Sequence, residues 1–326
     1  MANVLVTGGA GYIGSHTCKL LFQAGYNPIT YDNLSFGHEW AVQWGPLEVG
    51  DINDYERLVS VINEYKPVAV IHFAAFAYVG ESVTDPAKYY VNNVSGGLNL
   101  LKAMRDNGLK NIIFSSSCAT YGIPEQHLID ESTEQKPINP YGRTKLIFEQ
   151  VLSDFEKAYG INSVSLRYFN AAGADPECEI GEWHKPEPHL IPTILNVALG
   201  EIPELSIFGN DYETFDGTCI RDYIHVWDLA DAHLKALEYI LNADKSQVLN
   251  LGTGEGYSIK QVLSIAESVV NKKIAHKFNP RRPGDPPKLV ADPRKAFEIL
   301  KWKTAQSEMY NIIKTAWMWH QKITHK

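Results

Sequence analysis

Short apolar runs alternate with stretches of helical periodicity through the first half of this chain. Residues 4–6 (Val-Leu-Val) read as a buried strand, 14–24 as a helix, and 27–31 as a second strand ending at Asp32. Residues 68–73 (Val-Ala-Val-Ile-His-Phe) and 112–114 are two more short apolar strands, with helical stretches at 54–65 and 89–107. A further helix should follow Tyr141 and run to about Tyr159, and 163–166 is the next strand. Strands and helices alternating at this spacing predict an α/β protein with a doubly wound parallel sheet, covered on both faces.

The pattern changes after about residue 173. Residues 174–192 are rich in Pro, Glu and His and read as loop. Short motifs separated by turns follow: Phe208-Gly209-Asn210, Gly217-Thr218-Cys219-Ile220-Arg221-Asp222 and Arg282-Pro283-Gly284-Asp285. These predict a smaller, substrate-facing C-terminal lobe. Residues 226–241 have helical spacing with Asp228 as an early cap, and Asn250-Leu251-Gly252 would end a strand. Residues 1–173 are therefore expected to form the dinucleotide-binding domain and 174–326 mainly the second lobe. Residues of about 226–255 would return to the first, so the two interleave.

Composition narrows the function. The chain has 326 residues, 44% of them hydrophobic, which suffices for a large core. The formal net charge is −8 and no basic tail or stripe is present, which argues against nucleic acid or an anionic membrane as partner. The opening residues 3–7 are too short and lack the basic leader of a secretory signal, and no stretch reads as a membrane span. Cys18, Cys118, Cys178 and Cys219 have neither C-x-x-C nor zinc spacing. Reduced thiols in a cytoplasmic enzyme are expected.

Gly8, Gly11 and Gly14 lie three residues apart, directly between a strand and a helix. That context makes a glycine motif credible as a Rossmann-type dinucleotide turn, with pyrophosphate at the helix N-terminus. A carboxylate at Asp32 can accept both hydroxyl hydrogens of the adenosine ribose and would repel a 2′-phosphate. No Arg or Lys falls between Tyr31 and Trp44 to neutralise such a phosphate, so NAD is favoured over NADP. Asp51 and Ile52, after a third strand, either cover the adenine or form a surface cap. Phe73-Ala74-Ala75 offers a small-residue passage for the cofactor backbone.

Tyr141 and Lys145 lie four residues apart, on one face of the expected helix. An ammonium there would hold the phenol partly ionised and make it a base near neutral pH. Ser115-Ser116-Ser117 follows a strand, and Ser117 is the hydroxyl expected to bond the substrate oxygen. An isolated Tyr-x-x-x-Lys arises often by chance; the serine and the glycine turn add weight.

The order of glycine turn, acidic strand end, serine and Tyr-x-x-x-Lys resembles the short-chain dehydrogenase/reductase superfamily. Five segments narrow it: 8–16, Gly80-Glu81-Ser82, 115–122, Arg167-Tyr168-Phe169-Asn170 and 219–226 (Cys-Ile-Arg-Asp-Tyr-Ile-His-Val). Together they resemble the UDP-glucose 4-epimerase family over nearly the whole chain. The resemblance implies NAD+ that stays bound and a 4-keto sugar that turns over in the pocket before it is reduced on its other face. Tyr141 would take and return the 4-hydroxyl proton, Lys145 would lower the Tyr141 pKa, and Ser117 would position the 4-oxygen. Candidate cofactor contacts are Gly8, Gly11, Tyr12, Ile13, Gly14, Asp32, Asn33, Asp51, Ile52, Phe73, Ala74, Ala75, Asn92, Ser115, Tyr141, Lys145 and Tyr168. On the UDP-sugar side they are Ser117, Tyr141, Phe169, Asn170, His189, Leu190, Phe208, Arg221, Arg282 and Asp285. Asn170 would sit near the phosphate, Arg221 and Arg282 on the diphosphate, Asp285 on the uridine ribose and Phe208 near the uracil. A homodimer is also implied, with helices 89–107 and 141–159 available for the contact.

Three positions depart from well-known bacterial members: Ala77 replaces a pyrophosphate-binding lysine, His189 a substrate-contacting asparagine and Leu289 a large pocket tyrosine. Leu289 would give the hexose C2 region room for an N-acetyl group, unless neighbours refill it. A UDP-xylose/UDP-arabinose 4-epimerase is the main rival reading. A sugar dehydratase would need an acid–base pair where Cys118-Ala119 stands; a dehydrogenase releasing NADH and a non-catalytic NAD-binding regulator rank lower. His72 reads as a satisfied core histidine, and Trp302, Trp317 and Trp319 as packing residues. No metal is expected, because His184 and His189 lack a convincing third ligand.

Overall fold

The computed structural model describes residues 1–126, 128–282 and 285–324. The chain begins with β1 (Asn3–Thr7), α1 (Tyr12–Gln23), β2 (Asn27–Asp32), β3 (Leu47–Val49), α2 (Tyr55–Tyr65) and β4 (Ala69–His72). Next come α3 (Val79–Thr84), α4 (Pro86–Tyr89), a π-helical stretch (Tyr90–Gly96), α5 (Gly97–Asp106), β5 (Asn111–Ser117), α6 (Pro140–Tyr159) and β6 (Asn162–Tyr168). The second half holds β7 (Asn170–Ala172), α7 (Leu190–Leu199), β8 (Leu205–Phe208), β9 (Ile220–Arg221), β10 (Tyr223–His225) and α8 (Val226–Ala243). It ends with β11 (Gln247–Leu251), β12 (Tyr257–Ser258), α9 (Ile259–Val270), β13 (His276–Asn279), β14 (Lys288–Leu289), α10 (Arg294–Leu300) and α11 (Met309–Ile323).

Seven strands form one sheet in the order β11-β6-β5-β4-β1-β2-β3, and every neighbouring pair is parallel. The chain runs outward from β1 to β3, then crosses back to β4, so the order reverses beside β1. Ligand crevices in such sheets open at the carboxyl ends of the strands at this reversal. Alternation along β1 fills both faces: Val4 and Val6 pack with Leu21, Leu229 and Leu237, whereas Leu5 packs with Leu58, Leu100 and Phe148. β11 joins the large sheet beside β6, although it follows part of the second lobe in sequence. That lobe has its own core of α7, α9 and α11 residues, including Ile194, Val262 and Ile312.

The structure differs from the sequence reading at three places. The expected helix over 89–107 is interrupted, because Tyr90–Gly96 winds as a π-helix before α5 begins. Inside it Asn93 bonds Phe76 O, Phe76 N and Thr144 Oγ1, tying the loop after β4 to α6. The expected loop over 174–192 ends early, since α7 starts at Leu190. Asp228 does not cap α8; His225 does, and Asp228 instead accepts from Ala305 N, Gln306 N and Ser307 Oγ. A loop 77 residues downstream competed successfully for that carboxylate.

A buried charged chain ties α6 to the sheet. Glu149 accepts from Arg167 Nε at 2.9 Å and from Ser116 Oγ at 2.5 Å. Arg167 Nη1 donates to Tyr121 Oη at 2.8 Å, and Tyr121 donates to Asn250 Oδ1 at 2.7 Å. Both charged side chains are under a tenth exposed. Removing one partner strands the other charge in low dielectric, at a cost of about 3–5 kcal/mol. Urea denaturation of Glu149→Ala should show a loss of that order, and a loss under about 1 kcal/mol would mean that water reaches the guanidinium.

Candidate active site

A cavity of about 470 Å³ begins at the glycine turn and ends at Tyr141. Gly8, at φ +76°, lies so close to the next strand that an added Cβ would meet Ala74 N at 2.6 Å. At Gly14 it would strike Gly8 O at 2.2 Å. The α1 N-terminus has Gly11 as its cap, no side-chain cap bond and no acidic residue in its first turn. Gly11, Tyr12, Ile13 and Gly14 line the cavity, so this helix start suits an anion.

Asp32 closes β2 with one carboxylate oxygen on Ala10 N at 3.1 Å and the other on Leu34 N at 2.9 Å. Burial raises its pKa and the two backbone donors pull it back. Remaining lone pairs can accept hydroxyl hydrogens. Asp51 holds Asn33 and Asn53 through its carboxylate. Burial pushes Asp51 up, but these hydrogen bonds outweigh it and leave the pKa lowered. Asp51 is not on the cavity wall, whereas Ile52 is.

The three serines at the end of β5 diverge. Ser115 Oγ meets Tyr168 Oη at 2.5 Å, Ser116 turns to Glu149, and Ser117 Oγ accepts from Ala119 N at 3.1 Å. Ser115 and Ser117 line the cavity, as strand alternation requires. Asn139 caps α6 through Gly142 N at 2.8 Å. Tyr141, Lys145 and Glu149 then follow at successive turns of one face. Lys145 Nζ donates to Ser115 O at 2.8 Å and sits 5.8 Å from the Tyr141 ring centroid.

The charge state differs from the expectation. Burial raises the Tyr141 pKa well above the phenol's ordinary value; Tyr168 adds to this, and Ser117 opposes it. Burial also lowers Lys145 from 10.5 to about 7, with Glu149 opposing. Lys145 therefore does not by itself hold the phenol ionised. Desolvating both groups costs more than their proximity returns.

The cavity wall brings together Gly8, Gly11, Tyr12, Ile13, Gly14, Asp32, Asn33 and Ile52 with Phe73, Ala74, Ala75, Asn92, Ser115, Ser117, Tyr141 and Tyr168. Phe169, Asn170, His189 and Leu190 complete it on the lobe side. Lys145 stands behind this wall. Phe208, Arg221, Arg282 and Asp285 are not on it and form a separate cluster on the lobe. There Arg221 pairs with Asp285, and the Arg282 guanidinium stacks 4.1 Å from the Phe208 centroid. Pro283 and Gly284 of that motif lie outside the described residues. Leu289 is not on the cavity wall: it packs with Tyr121, Ile129, Phe169 and Ala291, and β14 holds it opposite Arg221. Phe36, Tyr78, Glu81, Glu182 and His184 also line the wall and were missed as contacts. Gly80-Glu81-Ser82 was a signal for one of them; the others come from loops without a local pattern.

The expectation that His184 and His189 lack a third partner fails. Glu182, His184, Glu187 and His189 turn their ligand atoms together, all within 4.8 Å. A second group, Asp175, Glu177 and Glu179, is already filled by Lys19 Nζ at 2.9, 2.6 and 2.7 Å. His72 is bonded to Thr7 Oγ1 at 2.7 Å, and Trp302 and Trp319 are buried in packing. No helix among the described residues is long and apolar enough to cross a membrane.

A family model described as "NAD dependent epimerase/dehydratase family" matches residues 4–252. The chain belongs to that family. Within this epimerase/dehydratase family, it is 53% identical to a UDP-glucose 4-epimerase of Rhizobium leguminosarum bv. trifolii, over 98% of this chain and 97% of that one. It superposes at a TM-score of 0.96 on UDP-glucose 4-epimerase from Brucella ovis in complex with NAD, at 55% identity, covering 97% of this chain and 98% of that one. The enzyme from Bifidobacterium longum, in complex with NAD+ and UDP, gives 0.93 at 40% identity and 98% coverage of each chain. The glycine cradle, the open helix terminus and the Asp32 acceptors fit the family's cofactor.

Lys145 supplies a pH test on cofactor-free protein. With its folded pKa depressed, the unfolded chain binds the extra proton between about pH 7 and 10.5. Stability of the parent relative to Lys145→Met should therefore rise as pH climbs through that window. Urea midpoints at pH 7 and 9.5 check it; a constant difference would place a charged, solvated ammonium there.

Proposed function

We propose that this chain interconverts UDP-glucose and UDP-galactose at C4, through a 4-keto sugar, with NAD retained through the cycle. The carrying observation is a single cavity that joins the glycine turn and Asp32 to the Tyr141 phenol and Ser117 hydroxyl. The relatives named as UDP-glucose 4-epimerases support the hexose reading over the pentose one. When bound, NAD+ supplies a hydride acceptor and a positive charge.

The chain's own residues supply the rest. Gly8, Gly11 and the first N–H groups of α1 receive the pyrophosphate, and Asp32 accepts from the adenosine ribose. Ser117 orients the sugar 4-oxygen. Tyr141 takes the 4-hydroxyl proton and later returns it. Its raised pKa makes the resting phenol neutral, so a nearby positive charge is needed before it can act as base. Lys145 contributes by fixing the end of β5 through Ser115 O and by carrying a proton that is easily lost. On the lobe, Arg221 and Arg282 would take the diphosphate, with Arg221 exchanging Asp285 for phosphate. Cys118 and Ala119 on the wall carry no acid–base function, which disfavours dehydration. The four free thiols agree with a cytoplasmic setting. Exposed Val91, Leu98 and Tyr159 on the π-helical stretch, α5 and α6 suit a homodimer contact.

Conversion of UDP-galactose to UDP-glucose without added NAD, followed by NMR, tests the reading. Tyr141→Phe should lower kcat by roughly 10²–10⁴-fold with bound NAD unchanged. Near-parental turnover in that variant would remove the phenol from its role. Absence of UDP-glucose even with NAD supplied would reject the substrate.

A further inference from the structure

Outside the phenol site, the molecule gathers two imidazoles and two carboxylates on the loop that leads into α7. Glu182 Oε1 stands 2.6 Å from His189 Nδ1 and 3.2 Å from His184 Nδ1. Glu187 Oε1 is 3.2 Å from His189 Nδ1, and Glu187 Oε2 is 3.6 Å from His184 Nδ1. Each imidazole thus faces both carboxylates.

Close approach here is not good hydrogen bonding. The His189–Glu187 contact has hydrogen-bond geometry, as does the bond from His189 N to Glu187 Oε1 at 2.9 Å. Glu182 Oε1 and His184 Nδ1 are buried and have no hydrogen-bond partner. Glu182 itself is 4% exposed. Buried polar atoms are almost always satisfied, so two unsatisfied atoms 3.2 Å apart call for a shared partner. Trp319 Nε1 bonds Glu182 O at 2.9 Å and anchors the first ligand's backbone. His189 N-caps α7 by position and fixes the last.

We propose that Glu182, His184, Glu187 and His189 form a structural zinc site that clamps the lobe-side wall of the cavity. A tetrahedral ion with bonds of about 2.1 Å keeps its ligands about 3.4 Å apart. Glu182 Oε1 stands 3.2 Å from His184 Nδ1, and Glu187 offers one oxygen 3.2 Å from His189 Nδ1 or the other 3.6 Å from His184 Nδ1, all near that spacing; one ligand atom from each of the four residues lies within 4.8 Å of the others. The 2.6 Å pair needs only to open. Two carboxylates and two neutral imidazoles balance the dication, and this donor set suits zinc above magnesium or calcium. Four protein ligands leave no open position, so the ion holds structure instead of activating water. Glu182, His184 and His189 line the same cavity as Tyr141, so the ion would set the position of that wall and of the α7 N-terminus. The site stands independently of which nucleotide sugar the cavity takes.

The full chain, stripped of metal by dialysis against a chelator, should rebind one zinc per chain against a chromophoric competitor. Substituted Co2+ should show the intense visible bands of a tetrahedral site. Zinc should raise the Tm of the parent. Glu187→Gln and His184→Gln, checked for folding by circular dichroism, should each weaken zinc by more than about 100-fold, beyond the range of outer-shell changes. They should also abolish the Tm shift. Zinc binding only at millimolar concentration, an octahedral Co2+ spectrum, or undiminished affinity in both variants would overturn the proposal. The Co2+ spectrum of the parent decides the matter even if a variant fails to fold.

Discussion

The hydrogen bond from Lys145 Nζ to the Ser115 carbonyl is the point on which this site hangs. It joins the one helix that carries the phenol to the end of the one strand that carries the serine. β4 pairs with β5 only as far as Phe114, so Ser115 lies past the ladder on that side, and a buried lysine one turn after Tyr141 can satisfy its carbonyl. The same helical face continues to Glu149, which Arg167 and Ser116 hold from the neighbouring strands. Tyr141, Lys145 and Glu149 are thus one row, in which the outer member faces the cavity and the inner two fix its position.

Burial gives that row its electrical character. Lys145 and Tyr141 are both shifted toward their neutral forms, the lysine down to about 7 and the phenol upward. A phenol made permanently basic by its lysine would carry a buried negative charge in the absence of substrate, which low dielectric penalises. A neutral pair avoids that cost. Under the proposed function, proton removal then depends on charge that arrives with the cofactor, which would couple base strength to cofactor occupancy.

The first half of the chain was legible because its signals are local. Apolar runs marked β1, β2, β4 and β5, the glycines at 8, 11 and 14 marked the turn, and Asp54 caps α2 where the helical pattern begins. The row Tyr141–Lys145 could be placed on one helical face by counting. What failed was set by contacts distant in sequence. Asp228 was claimed by the loop at 305–307, and Asn93 drew the helix over 89–107 into a π turn. Leu289 lies off the cavity wall, where β14 pairs with β9 and an apolar cluster seats it. The electrical environment of Tyr141 was not legible for a related reason: spacing reports proximity, but only the packed structure reports how much water has been removed.

The cluster at 182–189 follows the same rule and shows its limit. In sequence the four residues look like scattered polar positions in a Pro-rich loop, because no helix or strand period maps 182, 184, 187 and 189 to one side. The loop is held at both ends, by Trp319 on Glu182 O and by the start of α7 at Leu190. With its ends fixed, the short segment must fold back on itself, and its polar side chains have the cavity wall on one side and each other on the other. Glu182 Oε1 and His184 Nδ1 stand 3.2 Å apart beside close neighbours and yet neither has a hydrogen bond. The proposed dication would take the two Nδ1 lone pairs and an oxygen of each carboxylate at one point, where further hydrogen bonds cannot.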